Sequence, residues 1–526
     1  MPLSSTAMIR RLVPALLLAP VCTAQAQLPL MTAPAGVLRI ELGGAFFPTD
    51  QLRIDGVRRE LGSRLTIGSL DAAATPLLAN AEASLARVLG RASAPLTLGG
   101  LTAIAEQQRG VASLGLAVGL TRRLTFAVTV PIVSARTQLQ LRTDAAGASA
   151  GLNPADASLG TAAGIAQTTA FFTAFDEALT ALSGRIASGA FTNPTQLALA
   201  QQTLGQGTSL RDGLFTLLAD PVSGSAVLPT ASSADGTAVL AAITALDATL
   251  GGALAGQTIS AAPALPAAVL TSSDLDALLA APTGFGITRP EDIPPVGLGD
   301  VELALTAEVL RRGSPGDAHW LGVWARAGAR LSTGSAPRAG YLLDQGTGDG
   351  QPDVEFGGVA ELGRGRFGVR GSALMTLQLS GTSAEQPGTR DQLLRPSRVT
   401  ALFARNPGDL LTVTAQPFYR IVPHFALTAL LQYQRRGADR LAWADPTQAI
   451  AGLDLATLVN GTAANATRVG VGLSFVHDGK NREGLLKMPV EAGFSIERTV
   501  ASSAGVVATP LTSRMVLRVY KPITGR

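Results

Sequence analysis

The stretch LAVGLTRRLTFAVTVP, residues 116–131, alternates apolar with small or polar residues on both sides of Arg122 and Arg123. Successive side chains of a strand point to opposite faces. The alternation therefore predicts two strands, each with one apolar face, joined by a tight turn at 121–123. The device recurs: short polar turns at 311–317, 363–366, 422–424 and 477–487 each join two strand-like runs. Long irregular stretches separate these hairpins, at 49–108, 141–296, 335–352, 381–408, 437–467 and 501–511. Strict alternation of short and long connections belongs to a transmembrane barrel, with tight turns at one end and long loops at the other.

The two faces of each run make the same case. Val301, Leu303, Leu305, Ala307 and Val309 share a side opposite Glu302, Thr306 and Glu308. Phe367, Val369, Ala373, Met375, Leu377 and Leu379 lie opposite Arg370, Ser372, Thr376 and Gln378. One face suits lipid and the other a polar interior, and because a membrane tolerates no open sheet edge, the sheet must close. Counting such runs to the end of the chain predicts an all-β membrane fold, a closed antiparallel transmembrane barrel of about twelve strands. Leu124, Phe126, Val128 and Val130 would face lipid, and both termini would lie in the periplasm.

Composition narrows the class. In 526 residues, hydrophobic types reach 46% but aromatics only 4%, so Ala, Leu and Val carry the apolar content. The 42 Lys and Arg nearly balance the 38 Asp and Glu, which leaves no basic footprint for nucleic acid. Arg10 and Arg11, the apolar run at 12–21 and Ala24-Gln25-Ala26 read as a signal peptide over residues 1–26. The single cysteine, Cys22, falls inside it, leaving the exported chain without disulfide or thiol ligands. Pro20 and Val21 are not the small residues that precede a lipid-attachment cysteine. No later run of about 18 apolar residues is free of charge or breakers, so a helical span is not expected.

The barrel would occupy 27–140, with a long outer loop at 49–108, and 297–526. Residues 141–296 change character: Phe171, Phe172, Phe175, Leu179 and Leu182 carry helical spacing, and Ser272 or Ser273 would cap a later helix. This stretch predicts a mainly α-helical insertion in an outer loop, forming a cap or plug, with a smaller helix near 71–89. The alternative is a loop of low complexity.

Parity along the strands assigns a candidate lumen lining: Arg39, Glu41, Glu302, Glu308, Arg326, Arg330, Glu355, Glu361, Arg370, Arg420, Arg468, Glu491, Glu497, Arg514 and Arg518. Charges of both signs in a narrow barrel must be hydrated or paired, so this set is either a polar channel lining or a ladder of ion pairs that stiffens the wall. Asp344, Asp349 and Asp353 in DQGTGDGQPD offer oxygens at close spacing for Ca²⁺, but the EF-hand pattern is absent, and an ordinary turn is the plainer reading. His319, His424 and His477 fall at inner turns on different hairpins, where convergence on a metal or a catalytic centre is not expected. Trp320, Trp324, Phe367, Tyr419, Phe425 and Phe475 would form an interfacial girdle. No catalytic motif and no cofactor site is legible.

The segments GLTRRLTFAVTVP, GLGDVELALTAEVL (297–310), ARAGARLSTGS (325–335) and DQGTGDGQPDVEFGG (344–358) resemble the outer-membrane family of the MetA-pathway of phenol degradation. A looser similarity joins them to hydrophobic-substrate channels of the long-chain fatty-acid and toluene transporter type. The resemblance covers residues 109–133 and 297 to about 380, and the insertion departs from it, as does Gly525-Arg526 in place of a final aromatic. It implies an outer-membrane channel of a Gram-negative bacterium, not an enzyme, that passively takes up small hydrophobic or aromatic molecules. Outer-membrane lipid and the barrel assembly machinery would be its partners. The alternative is a structural or surface-interaction protein whose barrel anchors the insertion.

Overall fold

Twelve long strands carry the alternation, and in the computed structural model they form one closed antiparallel ring. The structure describes residues 31–523, apart from 221–223, 255, 257, 260, 290–295, 314–316, 387–393, 395–399, 423, 450–453 and 478–488. The signal-peptide reading of 1–26, with Cys22, lies outside the described residues, as does most of the turn at 477–487. Numbering only the barrel strands, these are β1 (Val37–Thr49), β2 (Gly100–Gly119), β3 (Leu124–Asp144), β4 (Val301–Arg312), β5 (Trp320–Leu331), β6 (Asp353–Arg364), β7 (Phe367–Gln378), β8 (Leu410–Val422), β9 (Phe425–Arg436), β10 (Ala464–His477), β11 (Val490–Ala501) and β12 (Leu511–Pro522). Each strand pairs with the next, and β1 pairs with β12 from Val37 opposite Pro522 to Phe46 opposite Ser513. The even count follows from closing an antiparallel meander on itself.

The two ends differ as the alternation of connections predicts. At the turn end β6 and β7 are joined by Gly365-Arg366 alone, with Gly365 at φ +55° supplying the left-handed conformation such a turn needs. At the loop end short strands prolong the hairpins: Gly381–Glu385, Ala401–Asn406 and Arg440–Trp443 form one small sheet, and Gln51–Ile54, Val57–Glu60 and Val506–Ala508 another. Outward positions form an apolar band around the ring, with Leu116, Phe126, Leu305, Phe356, Leu427, Val471, Phe494 and Met515 all exposed. This is the surface a barrel presents to hydrocarbon.

β2 and β3 reach beyond the others, so the loop expected at 49–108 ends earlier, before Gly100, and the one expected from 141 begins later, after Asp144. Their polarity inverts on the way out. Near the turn end Leu114, Leu116 and Phe126 point outward; at the loop end Leu101, Ala103 and Leu141 point inward and are buried, while Glu106, Gln138 and Arg142 take the outer side. The inward apolar residues join a core built by α1 (Pro76–Leu89), α2 (Ala162–Ala187), α3 (Pro194–Leu218), α4 (Ala234–Ala253) and α5 (Ser272–Ala280). Phe171, Phe175 and Leu182 of α2 are fully buried there, and Phe171 meets Phe172 and Phe175 edge to face.

Each helix starts on a side-chain cap: Thr75, Thr161, Asn193, Ser233 and Thr271. For α5 the cap is Thr271, in a reciprocal capping box with Asp274, and not Ser272 or Ser273. Thr271 wins because Asp274 stands three residues on, where its carboxylate reaches back to the cap. Of the described helices α4 alone has the length and apolar content of a membrane span, yet Val239, Ile243, Leu246 and Leu250 are buried in the core shared by the helices.

Candidate functional site in the barrel lumen

Register decides which side chains share the interior, and it brings the fifteen charged candidates into local clusters. At the turn end of the seam between β1 and β12, Arg518 Nε donates to Glu41 Oε2 at 2.5 Å, and Arg518 Nη1 stands 3.6 Å from Glu491. Arg39 lies 3.9 Å from Glu41, and Arg518 is only 2% exposed. Toward the loop end Arg514 pairs with Glu497 at 3.3 Å, and Arg468 donates to Gln432 at 3.4 Å. Across the ring Glu361 accepts from Arg370 Nη2 at 2.5 Å and from Trp320 Nε1 at 3.3 Å, while the Arg420 guanidinium lies 4.9 Å from the Trp320 ring. Glu308 pairs with Arg311 at 2.5 Å, and Arg326 with Glu355 at 2.8 Å. Arg330 meets both Asp349, at 2.6 Å, and Asp353. Glu302 stands opposite Arg330 in register but accepts nothing from it.

Trp320 and Trp324 correct the girdle expectation. Both point inward and are 5% and 6% exposed, whereas Phe367, Tyr419 and Phe425 do lie exposed on the outer face near the turn end. Parity already held this answer, because residues 320 and 324 share it with Arg326 and Arg330. The indoles lie flat on the wall over glycines: a Cβ on Gly363 would sit 2.0 Å from Trp320 Cζ2, and one on Gly322 2.2 Å from Trp324 Cη2. Phe418 joins Trp320 at 6.3 Å between ring centroids. Replacing Gly363 with valine is expected to lift Trp320 from its seat, costing about 1–3 kcal/mol by overpacking. Red-shifted tryptophan emission in the refolded protein checks this, since only Trp320, Trp324 and Trp443 contribute.

Both mouths carry further chain. At the turn end Ala33, 1% exposed, donates to Thr125 Oγ1 at 2.8 Å, so residues 32–36 run across the inner side of β2 and β3. At the loop end the segment after β5 folds inward: Gln107 Nε2 and Thr137 Oγ1 both donate to the Leu343 carbonyl at 3.1 Å, and Arg109 reaches the Thr347 carbonyl at 3.3 Å. Between the mouths the wall is packed, with Thr414, Gln416, Gln432, Ser474, Ser495 and Glu497 all buried. A polar recess remains on the loop side, about 690 Å³ of empty space open in part to solvent, bounded by strands β4 to β9.

The three Ca²⁺ candidates are divided between two arginines. Asp344 accepts from the Arg338 side chain at 3.0 Å and its backbone N–H at 2.9 Å, while Asp349 and Asp353 face Arg330. Partial burial pushes the Asp344 carboxyl up, but the Arg338 hydrogen bonds and charge outweigh this and hold it below the usual range. A depressed pKa means stabilisation present above the unfolded value near 4 and lost as pH falls through the lower folded value. The pair is partly exposed and its worth small. Asp344→Asn is expected to speed trypsin cleavage after Arg338 several-fold at neutral pH, read by mass spectrometry of the nicked chain.

The histidines depart from expectation in one respect. His424, in the turn just before β9, and His477, the last residue of β10, stack their rings at 5.3 Å, whereas His319 stays apart in the exposed turn before β5. Among the described residues no three His, Cys, Asp or Glu side chains are gathered around one point.

No protein-family model and no curated protein matches the chain. The phenol-degradation likeness therefore stays a resemblance. Among solved structures, an outer membrane channel from Pseudomonas putida F1 is 10% identical over 95% of this chain and 99% of its own, with a TM-score of 0.40. The toluene transporter TodX of the same species is 10% identical over 94% of this chain and 92% of its own, at 0.26. The translocator domain of the autotransporter NalP from Neisseria meningitidis is 8% identical over 93% and 89%, at 0.27. At such similarity no solute or mechanism transfers.

Proposed function

We propose that this chain is an outer-membrane channel, not an enzyme, for passive uptake of small hydrophobic or aromatic molecules. In this reading residues 27–140 and 297–526 are the barrel, 141–296 the cap over the outer mouth, and both termini are periplasmic. Barrel assembly machinery would insert it among outer-membrane lipids. The observation that carries the reading is the closed ring itself, with a recess at the loop end of its lumen bordered by β4 to β9. A closed barrel gives a small solute a path that avoids hydrocarbon.

Single-channel conductance in planar bilayers tests this, comparing the full chain with one lacking residues 145–295. Deletion of the cap is expected to raise conductance several-fold by uncovering the recess. Silence in both samples, with heat-modifiable migration confirming folded barrels, would overturn it. The packed wall around Gln416, Gln432 and Glu497 favours the second reading, in which the barrel anchors the helical cap for surface interaction. That reading expects silence in both.

A further inference from the structure

One part of the outer wall departs from the even apolar band. Across β9 to β12 and β1 the register sets Phe425, Phe475, Ala492, Leu517 and Leu42 in one outward row. Ala492 is the small member, so the row dips over β11 between Phe475 and Leu517, and Phe494 and Met515 bank the dip toward the loop end. The result is a groove with about 910 Å³ of empty space, open in part on its outer side. Toward the turn end the wall turns from apolar to basic. His477 continues the outward face of Phe475, and Lys521 that of Leu517 and Val519. His477 and Val519 flank Val490, two strand spacings or about 10 Å apart, and Lys521 is exposed two residues beyond Val519. His424 stacks on His477 at 5.3 Å, and Phe475 lies 6.4 Å from His477 and 5.0 Å from Phe425, so ring follows ring from the groove to its basic rim. The carboxylates on these five strands, Glu41, Glu491 and Glu497, all point inward to their arginines.

We infer that this groove holds one molecule of an anionic phospholipid, with an acyl chain over Ala492 and the phosphate at Lys521 and the histidine pair. A dip in the wall buries more of one chain than the convex band beside it, and dispersion contacts add with every methylene seated. Lys521 can lay its four-carbon stem along the apolar wall while its ammonium meets the phosphate. No carboxylate on the outer face of these strands competes for that charge, so a lipid anion is the partner the rim fits. A zwitterionic head carries its own countercharge, a free anion leaves the groove unfilled, and a bare hydrocarbon leaves the rim unmet. The inference goes beyond the passage reading and needs no conduction.

Native mass spectrometry of the full chain released from detergent micelles tests this, with dioleoyl phosphatidylglycerol and dioleoyl phosphatidylcholine at equal concentration. The two share their chains and differ in net head-group charge. One phosphatidylglycerol is expected to stay bound, favoured about tenfold over phosphatidylcholine. Lys521→Gln combined with His477→Gln should bring that ratio close to one. Ala492→Leu, which fills the floor of the groove from the lipid side, should lower retention of both lipids several-fold. Heat-modifiable migration shows that the variants fold, since all three positions lie on the outer face. Equal retention of the two lipids by the unaltered chain, or a preference that survives in the double variant, would overturn the inference. Retention indifferent to Ala492→Leu would overturn it too, leaving annular lipid only. A silent bilayer with the lipid preference intact removes only the passage reading, and a conducting channel without the preference removes only this one.

Discussion

Arg518→Met is expected to lower barrel stability by about 3–5 kcal/mol, the largest loss of any lumen substitution considered, because it strands charge in a closed interior. Arg518 is 2% exposed and lies between Glu41, at 2.5 Å, and Glu491, at 3.6 Å, from two different strands. Its removal leaves Glu41 without its nearest countercharge and takes one from Glu491. The urea midpoint for loss of heat-modifiable migration measures the effect, which should localise to the seam, since Glu41 is on β1 and Arg518 on β12. Adding Glu41→Gln should restore part of the loss, as a neutral amide is cheaper to bury than a lone carboxylate. An unchanged midpoint in Arg518→Met would mean that water hydrates these carboxylates and that the lumen is open at this level.

The second large effect lies in the cap. Phe175→Ala removes a side chain with no exposed surface, packed edge to face on Phe171 at 5.6 Å, and the resulting cavity is expected to cost about 3–5 kcal/mol. The loss should appear as proteolysis and faster hydrogen exchange within residues 162–280, with the barrel still migrating as folded. The cap core touches the ring mainly through inward residues at the outer ends of β2 and β3, such as Leu101 and Leu141. Loss of barrel migration together with the cap would instead make the two one cooperative unit.

Much of this architecture is legible in residue order. Period-two alternation locates the twelve strands, because a barrel wall has one apolar and one polar face throughout the membrane. It also assigns the inward parity of Arg326 and Glu361. The same rule places Trp320 and Trp324 inside, but composition pulls the other way, since large aromatics are usual at membrane interfaces. What overrides that preference is a pair of small partners: Gly322, two residues before Trp324 on the same strand, and Gly363, which the register sets opposite Trp320. The outer reach of β2 and β3 is hidden for a related reason: where strands leave hydrocarbon for the cap, the apolar side switches from out to in. The stacking of His424 on His477 depends on β9 and β10 being neighbours, and residues 437–463 lie between those strands in the chain.

The pairing of β1 with β12 sets the order of assembly. Val37 finds Pro522 only after the whole chain is delivered, so the ring has a long-range contact that no local hairpin can replace. The helical insertion must therefore leave the closing ring before the last strand arrives, and its capped helices can form from local contacts while the barrel is still an open sheet. The slow step in making this protein is then the meeting of its two ends, and mutations at the seam would register as a delay in biogenesis as well as a loss of equilibrium stability.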